Sequence, residues 1–162
     1  QAKAQPEKMV DKGFAVTRRY EKLNPDGTWT PTGTFRVGDV VRVTITAKHT
    51  DGLPAVYMAL EDRLPAAFEA VNPELTSQAL PEDIRTDESN WLCSGFINNR
   101  EYLKDCVRFY VTRWGEGDLT AHYIARVVKS GKVTAPAAKA ELMYRPQVYG
   151  LAIPQHFTIL PR

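Results

Sequence analysis

Apolar and polar residues alternate with a period of two through most of this chain. The clearest case is 38–50: Val41, Val43, Ile45 and Ala47 fall on one face, and Arg42, Thr44, Thr46 and Lys48 on the other. Such alternation is the mark of a strand with one dry and one wet side. The same rhythm puts Val56, Met58 and Leu60 inward over 55–61. It does so again for Val107, Phe109 and Val111, and for Leu119, Ala121, Tyr123, Ala125 and Val127. Further strand-like stretches are 14–23, 91–103 with Gly95 as a candidate bulge, 133–135, 138–143 and 157–160. The stretch 29–35 is short and broken by Pro31, so it reads as an edge or a loop.

Turn residues punctuate these runs. Asn24-Pro25-Asp26-Gly27, Asp51-Gly52 and Ser130-Gly131-Lys132 each reverse the chain, and Gly115-Glu116-Gly117-Asp118 reads as a hairpin turn. The rhythm fails over 62–88. Residues 66–80 carry Ala, Glu, Leu and Gln and predict one short helical insertion, followed by an acidic loop. The fold class is therefore mainly β: an antiparallel β-sandwich of seven to nine strands with one short helix around 66–80. Residues 1–12 are polar and aperiodic, a frayed lead-in or interdomain linker. Residues 13–162 form a single domain, the natural reading for a chain of 162 residues. The chain starts at Gln1 rather than Met, which suggests a processed or excised piece of a longer protein.

Composition adds little. Apolar residues make up 43% and charged residues 25%, and the net charge of +2 does not call for a polyanionic partner. No apolar run is long enough to cross a bilayer as a helix. Two cysteines, Cys93 and Cys106, admit either a disulfide, adding roughly 3 kcal/mol if unstrained, or two buried thiols. With no Cys-x-x-Cys and three scattered histidines, no zinc site is supported and no metal or cofactor is expected.

Candidate chemistry is sparse. No Gly-x-Ser-x-Gly is present, and Gly131-Lys132 lacks both the upstream Gly and the following Ser or Thr of a phosphate loop. The acidic groups Glu61-Asp62 and Asp83, Asp87, Glu88 lack the alternating spacing of a calcium loop. Arg108, Arg113 and Arg126 interleave with Phe109, Tyr110, Trp114 and Tyr123, but near-neutral charge favours a solvated sheet face over a nucleic-acid surface. Trp29, Trp91 and Trp114 keep open a carbohydrate-binding or adhesion module. No enzyme is expected.

Three stretches resemble one family. The first is Val37-Gly38-Asp39-Val40-Val41-Arg42-Val43. The second runs from Leu60-Glu61-Asp62-Arg63-Leu64-Pro65-Ala66-Ala67-Phe68-Glu69 to Leu75, with Ala67 where Gly is common. The third, residues 131–150, holds Pro136-Ala137, Ala140-Glu141, Met143-Tyr144, Pro146, Val148 and Gly150. In this order and spacing they resemble the C-terminal, receptor-binding-like macroglobulin domain of bacterial alpha-2-macroglobulins, over residues 13–160. Of a charged run common in that family, only Arg100, Glu101 and Asp105 are retained.

The resemblance implies a non-enzymatic piece of a large exported protease trap, periplasmic or held at the cell envelope, with a membrane anchor of the parent left open. Its partners would be the parent's thioester domain, its other macroglobulin domains and, through the parent, target proteases. The resemblance assigns Met143 and Tyr144 to a lid that keeps water from the thioester, with Pro146 and Tyr149 shaping the loop. The alternative is that Met143 and Tyr144 simply pack a strand end. The thioester motif itself, a Cys-x-x-Gln type, is absent from this chain.

Overall fold

In the computed structural model, residues 8–52, 55–72, 97, 99–114 and 117–162 are described. They form fourteen strands and no helix. β1 (Val10–Lys12), β6 (Ala55–Arg63), β8 (Asn99–Tyr102), β9 (Cys106–Trp114), β12 (Lys139–Leu142) and β13 (Arg145–Leu151) build one sheet, in the order β1-β13-β12-β6-β9-β8. β2 (Phe14–Leu23), β3 (Trp29–Pro31), β5 (Val40–His49), β7 (Phe68–Val71) and β10 (Asp118–Val127) build the second, in the order β3-β2-β5-β10-β7. A third sheet, β11-β14-β4, joins Gly131–Ala135, Gln155–Leu160 and Thr34–Arg36. All pairings are antiparallel except β14 with β4.

The two larger sheets face each other as a sandwich. Val41, Val43, Ile45, Ala47, Leu119, Ala121, Tyr123, Ala125 and Val127 are buried on one side, as the alternation implied. Val107, Phe109, Val111, Met58 and Leu60 meet them from the other. Phe14 and Trp114 stack across the layers, with ring centres 5.7 Å apart and planes 7° from parallel. Phe35 and Phe157 bring the small sheet into the same core by edge-on contacts with Phe68, Tyr20 and each other.

Several expectations are corrected. Where the expected helical insertion at 66–80 is described it is a strand instead: Phe68–Val71 is β7, paired with Ile124 to Val127, and 73–80 lie outside the described residues. Weak helix propensity yields here to an open sheet edge that takes up the backbone hydrogen bonds of 68–71. Among the described residues strands number fourteen rather than seven to nine, because short edge strands and β13 carry little pattern of their own. Val10–Lys12, within the expected linker, pairs with β13. β9 and β10 belong to different sheets, so they do not form the hairpin expected around Gly115-Glu116-Gly117-Asp118, of which Gly115 and Glu116 lie outside the described residues. Of the stretch 91–103 only β8 and Ile97 are described, so Gly95 lies outside.

Between the sheets lies an ionic contact. Arg18 of β2 and Asp62 of β6 form a salt bridge, their side chains 1% and 0% exposed. Tyr123 donates its hydroxyl to the other Asp62 oxygen at 2.5 Å. Arg18 also donates to the Ala135 carbonyl at 3.3 Å, and its guanidinium lies over the Tyr20 ring. Burial pulls the Arg18 guanidinium down, but Asp62 beside it outweighs this and holds it above its ordinary value. Burial, and then the Asp62 charge, push the Tyr123 hydroxyl well above the usual tyrosine range, so it remains a donor.

Candidate interdomain contact site

Met143 and Tyr144 form the tip of the β12–β13 hairpin. Leu142 pairs with Arg145 across this two-residue loop. Tight hairpins favour turns with positive φ, whose twist suits the strands. Neither tip residue has positive φ. The mismatch appears one step away, where the register shifts between Glu141 and Leu142. Glu141 pairs with Tyr149 and Leu142 with Arg145, which leaves Pro146, Gln147 and Val148 as extra residues on β13. Pro146, which has no N–H to donate, sits in this irregularity, where a ladder bond is not needed.

The tip faces solvent. Tyr144 is 77% exposed and Met143 is 48% exposed. Tyr57 of β6 lies beside them and is exposed, as is its sequence neighbour Val56. The Met143 amide donates to the Tyr57 carbonyl at 2.8 Å, and the Tyr57 and Tyr144 rings meet edge to face at 5.3 Å and 88°. Tyr57 has φ of +55°, the only positive value outside glycine among the described residues. A left-handed conformation costs a residue with a Cβ about 1–2 kcal/mol. It also explains why Val56 is exposed rather than inward: the β6–β9 register skips Tyr57, and the alternation breaks there. Sequence reading missed Tyr57, since no residue type announces a backbone outlier.

The structure brings Met143, Tyr144 and Pro146 to one rim, with Tyr57 added. Tyr149 stands apart from the tip. It is a ladder residue opposite Glu141, with Lys12 and Lys139 ammonium groups 5.5 and 5.7 Å from its ring centre. The outer face of this sheet is polar. Arg108 bonds Glu61 at 2.8 Å and reaches Glu101 at 3.5 Å, and Tyr110 donates to Glu101 at 3.0 Å. Burial would raise the Glu61 carboxyl, but bonds from Arg108 and Arg63 prevail and hold it below its ordinary value.

Cys106 is a buried free thiol, pushed up to about 11, first by burial and then by Glu61. Cys93, the other partner of the possible bridge, lies outside the described residues. No group of metal-ligating side chains occurs among the described residues. Asp62 points inward to Arg18 while its neighbour Glu61 points out, and Asp83, Asp87 and Glu88 lie outside.

Neither described tryptophan offers an open stacking platform. Trp114 is buried between Phe14 and His49, Arg42 covers the Trp29 ring at 4.7 Å, and Trp91 lies outside the described residues. Phe109 and Tyr123 are buried while Arg113 and Arg126 are exposed, and Arg108 and Tyr110, which do share the outer face, are both engaged with Glu101.

Comparison with known proteins fits this architecture. A family model described as the bacterial alpha-2-macroglobulin MG10 domain matches residues 13–147. The alpha-2-macroglobulin of Rickettsia conorii is 30% identical over 142 residues, covering 88% of this chain. The chain spans 7% of that relative's length. Among solved structures, Escherichia coli alpha-2-macroglobulin activated by porcine elastase superposes with a TM-score of 0.79 at 22% identity, over 98% of this chain and 14% of that one. Salmonella alpha-2-macroglobulin reacted with methylamine gives 0.75 at 22% identity, over 98% of this chain and 10% of that one. At such identities the structural likeness shows a shared fold.

Proposed function

The chain belongs to the bacterial alpha-2-macroglobulin MG10 domain family, and from that premise we propose that it serves a larger, exported protease trap as a non-catalytic docking domain. In this reading the Met143–Tyr144 tip packs on the parent's thioester domain and keeps water and small amines from the thioester. The parent's capture of proteases, its periplasmic or envelope location and its thioester all belong to the proposal. One observation carries it: a sheet whose outer face is otherwise polar ends in a rim of exposed Met and aromatic side chains at the hairpin tip. An apolar rim of this kind on a polar surface marks a contact. A thioester is lost to water or amines when wet, so a bulky, dry cover suits it. The reaction of the Salmonella relative with methylamine is the chemistry such a cover would restrain.

The test is the double variant Met143→Ala/Tyr144→Ala in the full parent, followed by methylamine incorporation. Both side chains are exposed in this domain, so its stability should change by no more than about 0.5 kcal/mol. Burying each against a partner is worth roughly 1.5–3 kcal/mol. Amine incorporation should therefore accelerate on the order of a hundredfold or more. An unchanged rate would refute the shield.

A further inference from the structure

We propose that Tyr57 is a positioning residue for Tyr144: its ring buttresses the Tyr144 ring so that the exposed side chain is held ready for its partner. The inference rests on the shielding role proposed for Tyr144 and extends it to a residue on a different strand.

The first observation is the backbone. Tyr57 holds φ of +55° although it is neither Gly nor Asn. Glycine would adopt that conformation at no steric cost. A strained aromatic is retained only where its surroundings enforce it, and such outliers cluster at working sites. The second observation is what the strain achieves. Tyr57 is 49% exposed, so its ring fills no core. Its carbonyl accepts the Met143 amide at 2.8 Å, which ties the hairpin tip to β6. Its ring meets Tyr144 at 5.3 Å and 88°, the edge-to-face geometry that aromatic pairs favour. Tyr144 otherwise projects from a two-residue loop and is 77% exposed. A free side chain there would sample several rotamers, and ordering it on docking would weaken the contact. A neighbouring ring removes part of that cost in advance.

The experiment compares Tyr57→Gly with Tyr57→Phe. Glycine fits the positive φ, so the first variant removes the ring while relieving the backbone, and its melting temperature should hold or rise. Phenylalanine keeps the ring. Proton NMR of the 162-residue chain reads the Tyr144 ring directly. Wild type and Tyr57→Phe should show ring-current shifts at Tyr144 that vanish in Tyr57→Gly. In the full parent, Tyr57→Gly should speed methylamine incorporation about threefold to tenfold, the worth of one aromatic pair, and Tyr57→Phe less than about twofold.

Tyr144 resonances unmoved in Tyr57→Gly would overturn the inference and leave the shield standing. So would a wild-type amine rate in Tyr57→Gly beside a raised rate in Tyr144→Ala. A wild-type rate in Tyr144→Ala itself would instead remove the shield, and the Tyr144 resonances alone would then decide whether Tyr57 positions it.

Discussion

Asp62→Ala is expected to lower the unfolding free energy of the domain by about 3–5 kcal/mol, the usual result of taking one partner from a buried ion pair. For a domain of this size the melting point should fall by roughly 2–4 °C per kcal/mol. The physical reason is what remains. Arg18 keeps its charge between two sheets with its side chain 1% exposed, and Tyr123 loses the acceptor for its hydroxyl. Asp62→Asn should be nearly as damaging, because it too leaves the guanidinium without a counter-charge. Arg18→Met/Asp62→Leu should recover most of the loss, since an apolar pair of similar volume often replaces a buried ion pair without penalty. Urea unfolding of the three variants checks this. A loss below about 1 kcal/mol for Asp62→Ala would mean that the pair does not join the sheets in solution.

Gly150→Ala is expected to cost on the order of 3 kcal/mol, at the top of the range for overpacking. β13 crosses the backbone of β2 at this point. A methyl group on Gly150 would land on the Phe14 carbonyl, whose carbon lies 2.7 Å from where the new atom would stand. Backbone cannot turn aside as a side chain can, so the two strands must separate. Phe14 itself stacks on Trp114 and His49, and the shift would spread through that cluster. Thermal melting followed by near-ultraviolet circular dichroism would register both the loss and the disturbed Trp environment. A melting point within about 2 °C of wild type would show the crossing to be looser than described.

How much of this was legible depended on whether the controlling physics was local. The inward faces of β5, β9 and β10 follow from period-two alternation, because each strand has one wet side. The Arg18–Asp62 pair left a trace that is easy to pass over. Arg18 shares parity with Val16 and Tyr20, and Asp62 with Met58 and Leu60, so both charges fall on inward faces. Two charged residues of opposite sign at inward positions are a signal for a buried pair. β13 was hidden by Pro146 and Gly150, which break a strand by propensity; they stand there because one occupies an irregularity and the other a close crossing. Glycine-rich sequence after β9 does not say whether the next strand stays in the same sheet, and β10 does not. Residues 68–71 joined β10 because an edge was available, a fact of tertiary structure. Of the candidate site, the Met143–Tyr144 pair came from resemblance, and its exposure from the fold. Tyr57 came from the fold alone, since its strain and its contact with Tyr144 depend on how β6 meets the tip of the β12–β13 hairpin.

The claim on which the functional reading turns is that the Met143–Tyr144 tip lies against the parent's thioester domain before activation and leaves it afterwards. Replacing Tyr144 by a photo-crosslinking phenylalanine analogue in the full parent, then mapping the adduct by mass spectrometry, tests it directly. The adduct should fall on the thioester domain in the resting protein and be lost after methylamine or protease treatment. An adduct on a different domain, or one that persists unchanged through activation, would contradict it.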